Sequence, residues 1–230
     1  MTWLVRRTLL VGLCSLTTGF AWSDSKQSLE QAANDPTASL MSVQLEQRYT
    51  GDYYQLDDES ANATRLRVAM PFQTGELKHI ARFTVDHTSS SPAGKSGWGD
   101  LTLFDLLVRD ESWGRWGVGL VMLLPTATDD ALGNEKWAVG PAIGFVKQED
   151  KALFGLFNQN LFTVAGDDDR EDVNVSILQP IVNLKLPDKW FIGSSEMNIT
   201  YDWRENDWTS LPLGFKAGKL IRLGERGVPI

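Results

Sequence analysis

The 230-residue sequence has one cysteine, Cys14, and two histidines, His79 and His87. A single thiol cannot close an intrachain disulfide, and a cysteine-rich metal site is excluded with it. Both histidines fall on one face of one candidate strand, with no arrangement that identifies a nucleophile or oxyanion donors, so the chain does not read as an enzyme. A Walker-type phosphate loop is also missing, which excludes powered transport by this chain itself. Cationic residues are outnumbered, 22 lysines and arginines against 30 aspartates and glutamates. The formal charge of -8 and pI near 4.8 argue against a nucleic-acid partner, which calls for a basic surface. Finally, nothing after the first twenty or so residues is apolar for long enough to form a membrane-spanning helix.

The N-terminus supplies the one apolar run. Arg6 and Arg7 precede Thr8 to Cys14, and Gly19-Phe20-Ala21 gives small residues at the spacing of a cleavage site. Residues 1–21 are therefore expected to be a secretory signal peptide. Leu13 is too large for the position before a lipidated cysteine, which disfavours a lipoprotein. Residues 22–39 read as a polar periplasmic lead-in, with Ser25 capping a short helix that ends before Asp35-Pro36.

From Leu40 the period changes to two. Ser42, Gln44, Glu46 and Arg48 alternate with Met41, Val43, Leu45 and Gln47. Next, Thr64, Leu66, Val68, Met70 and Phe72 oppose Arg65, Arg67 and Ala69. A helix would scramble both sets, so these are strands. Leu77 to His87 sets Ala81, Phe83 and Val85 against Arg82, Thr84 and Asp86. Trp98 to Arg109 follows, with Asp105 interrupting its leucine face. Trp116, Val118, Leu120, Met122 and Leu124 form a wholly apolar face over Gly117 and Gly119. Trp137, Val139, Pro141, Ile143 and Phe145 do the same over Ala138, Gly140, Ala142 and Gly144. Further strands are expected over Leu153 to Ala165, Val173 to Leu186, Trp190 to Trp203, and Trp208 to Phe215, with a last one near Leu220 to Leu223. Turn-forming clusters separate them, including Ser89 to Gly97 and the acidic stretch Gly166 to Asp172.

Residues 40–230 thus read as one all-β domain. The expected fold is an antiparallel outer-membrane β-barrel of roughly ten to twelve strands, because alternation lets one face meet lipid while the other lines a wet lumen. Trp98, Trp113, Trp116, Trp137, Trp190, Trp203 and Trp208 lie near strand ends, where an interfacial belt of aromatic rings would place them. Alternation also suits a sandwich or a ligand-binding barrel that never enters a membrane, so the soluble architecture stays open.

Several short motifs carry a family resemblance. Gly97-Trp98-Gly99-Asp100, Trp137 to Ala142, Asn158-Gln159, Gln179-Pro180-Ile181-Val182-Asn183, Leu211-Pro212-Leu213-Gly214 and Gly218-Lys219 resemble, in that order, the outer-membrane transporter family associated with the meta pathway of phenol degradation. The resemblance spans Leu40 to Ile230 and implies a barrel that admits hydrophobic or aromatic compounds, with no catalytic set. It also implies further strand material after Gly218-Lys219 and an aromatic final strand. Here the sequence ends Gly224 to Ile230 without either, so an incomplete barrel is expected at that end.

The functional expectation is passive passage of small compounds through an outer-membrane channel. Its candidate lumen-facing residues are Arg65, Arg67, Arg82, Asp86, Glu196, Asn198 and Thr200, which would orient water and solute by charge and hydrogen bonding. The expected partners are outer-membrane lipid and small hydrophobic solutes; no cofactor or metal is expected. Asp129-Asp130 and Asp167-Asp168-Asp169 lack ordered calcium-ligand spacing and read as solvated turns. Two alternatives remain: an outer-membrane hydrolase of envelope lipid using His79 and His87, and a non-catalytic periplasmic β-rich binding protein.

Overall fold

A computed structural model describes residues 32, 35–50 and 60–219, together with the backbone of 10–20, 222–223 and 228–229. The strands in chain order are β1 (Leu10–Phe20), β2 (Met41–Thr50), β3 (Ala61–Thr74), β4 (Leu77–Ser90), β5 (Gly97–Trp98), β6 (Leu101–Glu111), β7 (Gly114–Leu124) and β8 (Lys136–Gln148). They continue as β9 (Ala152–Gly166), β10 (Asn174–Lys185), β11 (Trp190–Ser194), β12 (Ile199–Asp202), β13 (Asp207–Ser210), β14 (Phe215–Lys219), β15 (Arg222–Leu223) and β16 (Val228–Pro229). Apart from Ala32, which is helical, the short helix expected from Ser25 lies outside the described residues. Leu10–Phe20, inside the expected leader, pairs antiparallel with β2.

Among the described residues, fourteen strands join one antiparallel sheet, and β15 pairs separately with β16. Tight turns join β3 to β4, β6 to β7 and β8 to β9 at one end of the sheet. Gly75 takes φ 62° where β3 returns as β4, the left-handed conformation that a two-residue hairpin accepts most readily from glycine. Long loops occupy the other end, and Asp100 organises two of them. Its carboxylate accepts from the backbone N–H of Ala127 (3.2 Å) and of Asn134 (2.7 Å).

The alternation read from the sequence survives as two faces. Phe104 of β6 and Phe157 of β9 have two strands between them in the ladder, yet their rings meet edge to face at 5.3 Å. The sheet therefore curls, and one face becomes an inside. That inner face buries Ile80, Phe104, Leu106, Val121, Val146, Leu153 and Phe157 in a single cluster. Each such side chain contributes about 1.5–3 kcal/mol by leaving water. Gly119 is required for the close approach of β7 to β6, because a Cβ there would collide with the Asp105 carbonyl. The outer face carries exposed Leu45, Phe72, Leu120, Trp137, Ile143, Phe145 and Phe154.

This architecture corrects the closed-barrel expectation. Among the described residues the ladder runs β1-β2-β3-β4-β6-β7-β8-β9-β10-β11-β14, and no pairing returns from β14 to its beginning. The physical reason lies after β10. The continuous strands expected over Trp190 to Trp203 and Trp208 to Phe215 are each broken, at 195–198 and at 211–214. β11 covers only Asn183 to Lys185 of β10, β12 covers Val175 to Leu178, and β14 pairs with β11 alone. These short pieces leave no long strand to complete a ring.

The channel expectation falls with the closed wall, and the inner face where a lumen was expected is packed with the Phe104–Phe157 cluster. The outer-membrane localisation falls too, because it rested on a ring that would satisfy every strand edge in lipid. Among the described residues no helix is long and apolar enough to cross a membrane.

Candidate functional site

The period-two pattern gathers charge on the inner face beside the apolar cluster. In the β2–β3 register Gln44 faces Arg67 and Glu46 faces Arg65; in the β3–β4 register Arg65 faces Asp86, Arg67 faces Thr84 and Ala69 faces Arg82. Opposite residues of an antiparallel pair share a face, so these side chains must meet. Arg65 donates two bonds to Asp86, Nε to Oδ1 at 2.7 Å and Nη2 to Oδ2 at 2.9 Å. Arg48 reaches the same carboxylate at 3.2 Å.

Glu196 arrives from far along the chain. Its carboxylate accepts from Arg65 Nη1 at 3.0 Å and from Arg67 Nη2 at 2.7 Å, with a second contact to Arg67 Nη1. Gln44 and Thr84 hold the other edge of Arg67, accepting at 3.2 and 3.4 Å. These planar, charge-assisted contacts are the strong form of the hydrogen bond.

Two cations of this group are left over. Arg82 stacks its guanidinium 4.2 Å above the Phe104 ring and lies 5.8 Å from that of Phe157. Its Nε is buried without a hydrogen-bond partner, and among the described residues Arg82 has no ion pair. Lys216 of β14 stands opposite Gly193, which in turn opposes Asn183, and so belongs to the same face. Among the described residues it too lacks an ion pair. Within this cluster, among the described residues, five cations, Arg48, Arg65, Arg67, Arg82 and Lys216, thus meet three carboxylates, Glu46, Asp86 and Glu196.

The protonation equilibria follow this imbalance. Burial alone would push the Asp86 and Glu196 carboxyls up, but the arginines outweigh it. Arg65 holds Asp86 below the usual carboxylate range, and Arg67 with Arg65 holds Glu196 well below it. Burial lowers the Arg82 guanidinium well below its ordinary value, reinforced by Arg67 and Arg65 and opposed by a smaller pull from Glu196. Burial likewise lowers Lys216, against a smaller opposing pull from Glu196. An added anion would relieve both cations.

Of the sequence candidates, Arg65, Arg67, Arg82, Asp86 and Glu196 come together in this cluster. Thr200 faces the same side, opposite Ile177, but spends its hydroxyl on the Asn198 carbonyl at 3.3 Å. Asn198 lies in the break between β11 and β12. Sequence reading missed Glu46, Arg48 and Lys216 as members. Arg48 was signalled by sharing a face with Glu46, whereas Lys216, between Phe215 and Ala217, carried no signal until β14 was placed beside β11.

Two other polar groups stand apart. His79 lies on the outer face with its Nδ1 3.0 Å from Asp105 Oδ2 and its ring stacked on Phe72 at 4.6 Å. This pair accounts for the acidic interruption of the β6 leucine face. At the turn end, Arg115 donates to the Thr37 carbonyl at 2.9 Å and to Asp110 at 2.7 Å, and it pairs with Asp35 at 3.5 Å. Thr37, Ala38 and Leu40 are consequently buried. No family model, no curated protein and no solved structure matches this chain.

Proposed function

We propose that the chain is a non-catalytic binding protein whose inner face receives a small organic carboxylate. The observation that carries this reading is that Arg82 and Lys216, attracted by Glu196 but in direct ion-pair contact with no carboxylate among the described residues, stand in a cluster already built to hold carboxylates. A buried unpaired cation is costly, and a ligand anion removes that cost on binding. Phe104 and Phe157 adjoin Arg82 and are packed in the core cluster, so the carbon body of the ligand would gain an apolar wall there by repacking these rings. Calorimetric titration of the full chain with acetate, hexanoate and inorganic phosphate tests this. Saturable binding is expected for the carboxylates, tighter for hexanoate, weakened by salt and lost in an Arg82→Gln, Lys216→Gln variant. No saturable binding, or binding untouched by both replacements, overturns the reading.

The outer face favours a second partner, lipid acyl chains. Leu120 and Ile143 are more than half exposed (57% and 54%), and exposed Trp98, Trp137, Trp190, Trp203 and Trp208 stand near strand ends. Contiguous apolar surface of this kind marks an interaction site, and tryptophans at its rim suit a boundary between apolar and wet phases. This concerns a contact partner and involves no closed wall or passage. The full chain is expected to float with phosphatidylcholine vesicles in a density gradient. Recovery in the dense fractions, as a monomer without detergent, overturns it.

A further inference from the structure

Between β11 and β12, residues 195–198 leave the ladder as a strap. Ser195 N–H bonds to the Gly214 carbonyl at 3.0 Å, and the next bonds are local: Met197 N–H to Ser195 O at 2.9 Å and Ile199 N–H to Met197 O at 3.1 Å. Such three-residue turns hold a chain weakly compared with a strand ladder. Yet the strap delivers Glu196 across the inner face onto β3, more than a hundred positions earlier in sequence. Its carboxylate sits between Arg65 and Arg67 in the geometry that an external carboxylate would adopt.

Resting on the carboxylate-binding reading, we propose that Glu196 is a tethered competitor, an internal carboxylate that fills the Arg65–Arg67 seat and is displaced with its strap when the ligand carboxylate enters. The tether explains how the cluster avoids standing empty: without Glu196, Arg67 would keep only the neutral Gln44 and Thr84 as partners among the described residues. Displacement of residues 196–198 breaks two local turns and leaves the ladder and the Ser195–Gly214 bond in place, while the ligand carboxylate takes over the arginine contacts that Glu196 gives up. Meanwhile Arg82 and Lys216 supply the additional attraction that Glu196 does not satisfy.

The direct test uses the unaltered chain. Hydrogen exchange at the Met197 and Ile199 amides is measured with and without saturating hexanoate, and faster exchange in its presence is expected. Unchanged or slower exchange in a protein that binds hexanoate overturns the competitor role and leaves the binding function standing. Failure of hexanoate to bind at all overturns both. A second measurement compares affinities. Glu196→Gln is expected to bind hexanoate about tenfold more tightly, the scale of one charge-assisted competing contact. Glu196→Asp, which withdraws the charge by one methylene, is expected to fall between. Affinity in both variants equal to or weaker than that of the parent, with unfolding midpoints that show intact folds, also overturns the proposal.

Discussion

Arg65 and Asp86 face each other directly across β3 and β4 and form a two-bond ion pair, at 2.7 and 2.9 Å. The pair is more than a local contact, because Arg48 shares its carboxylate and Glu196 shares its guanidinium. Asp86→Asn therefore removes the counter-charge of two arginines at once while leaving the side-chain shape. With Asp86 partly exposed, the expected loss is about 1–3 kcal/mol, below that of a fully buried pair. A urea midpoint measured at unchanged slope checks it. A shift indistinguishable from zero would mean that solvent screens the pair.

The same carboxylates set an acid limit. Asp86 and Glu196 are held below the ordinary carboxylate range in the folded chain, so their contribution is fully present above the unfolded carboxyl values, about 4. It is lost as pH falls through the lower folded values. The stability gap between the parent and Asp86→Asn is accordingly expected to be constant near pH 6–7 and to shrink on acidification below about pH 4. Urea midpoints across that range measure it. A gap that widens in acid contradicts the sign.

Much of this cluster was legible because β2, β3 and β4 are long and regular. Once Arg65 and Arg67 share a face, the pleat obliges Arg82 and Asp86 to share one as well, and the register does the rest. The break that brings Glu196 to the arginines was not legible. Trp190 to Trp203 alternates acceptably throughout, and alternation carries no information on whether a strand finds a partner. Closure failed to follow from the pattern for the same reason: it depends on which edges meet, and β11 and β12 each take only part of β10 while β14 pairs with β11 alone. The inner packing was only half visible. The small faces of β7 and β8 announced close contact, but not that Phe104 and Phe157 would fill the space.

Lys216 separates stability from function. Its side chain is half-buried on the inner face, and that burial lowers its proton affinity. Lys216→Met keeps the length of the side chain and removes the desolvated charge. The variant is expected to be more stable by about 1 kcal/mol and to bind hexanoate more weakly, because sites kept ready for a ligand retain groups that the fold alone disfavours. Thermal unfolding and calorimetry on the same preparation give both quantities. Loss of stability together with unchanged binding would assign Lys216 a purely structural place.

Asn183 poses the opposite question, since it is fully buried and, among the described residues, neither its amide nitrogen nor its amide oxygen has a partner. Its ladder neighbours are Leu153 on one side and Gly193 on the other. Leu153 offers no polar group in its side chain and Gly193 has no side chain to crowd a larger residue. A buried amide without hydrogen bonds costs about 1–3 kcal/mol, so Asn183→Leu is expected to gain about 1–2 kcal/mol after repacking. Asn183→Asp serves as the control, because it puts an unpaired carboxylate in the same place and is expected to lose stability or take up a proton. Urea midpoints for the two variants decide the matter. If leucine destabilises while aspartate is tolerated, the position is wet rather than dry, and the amide is hydrated as part of the polar surface that the inner face presents to its ligand.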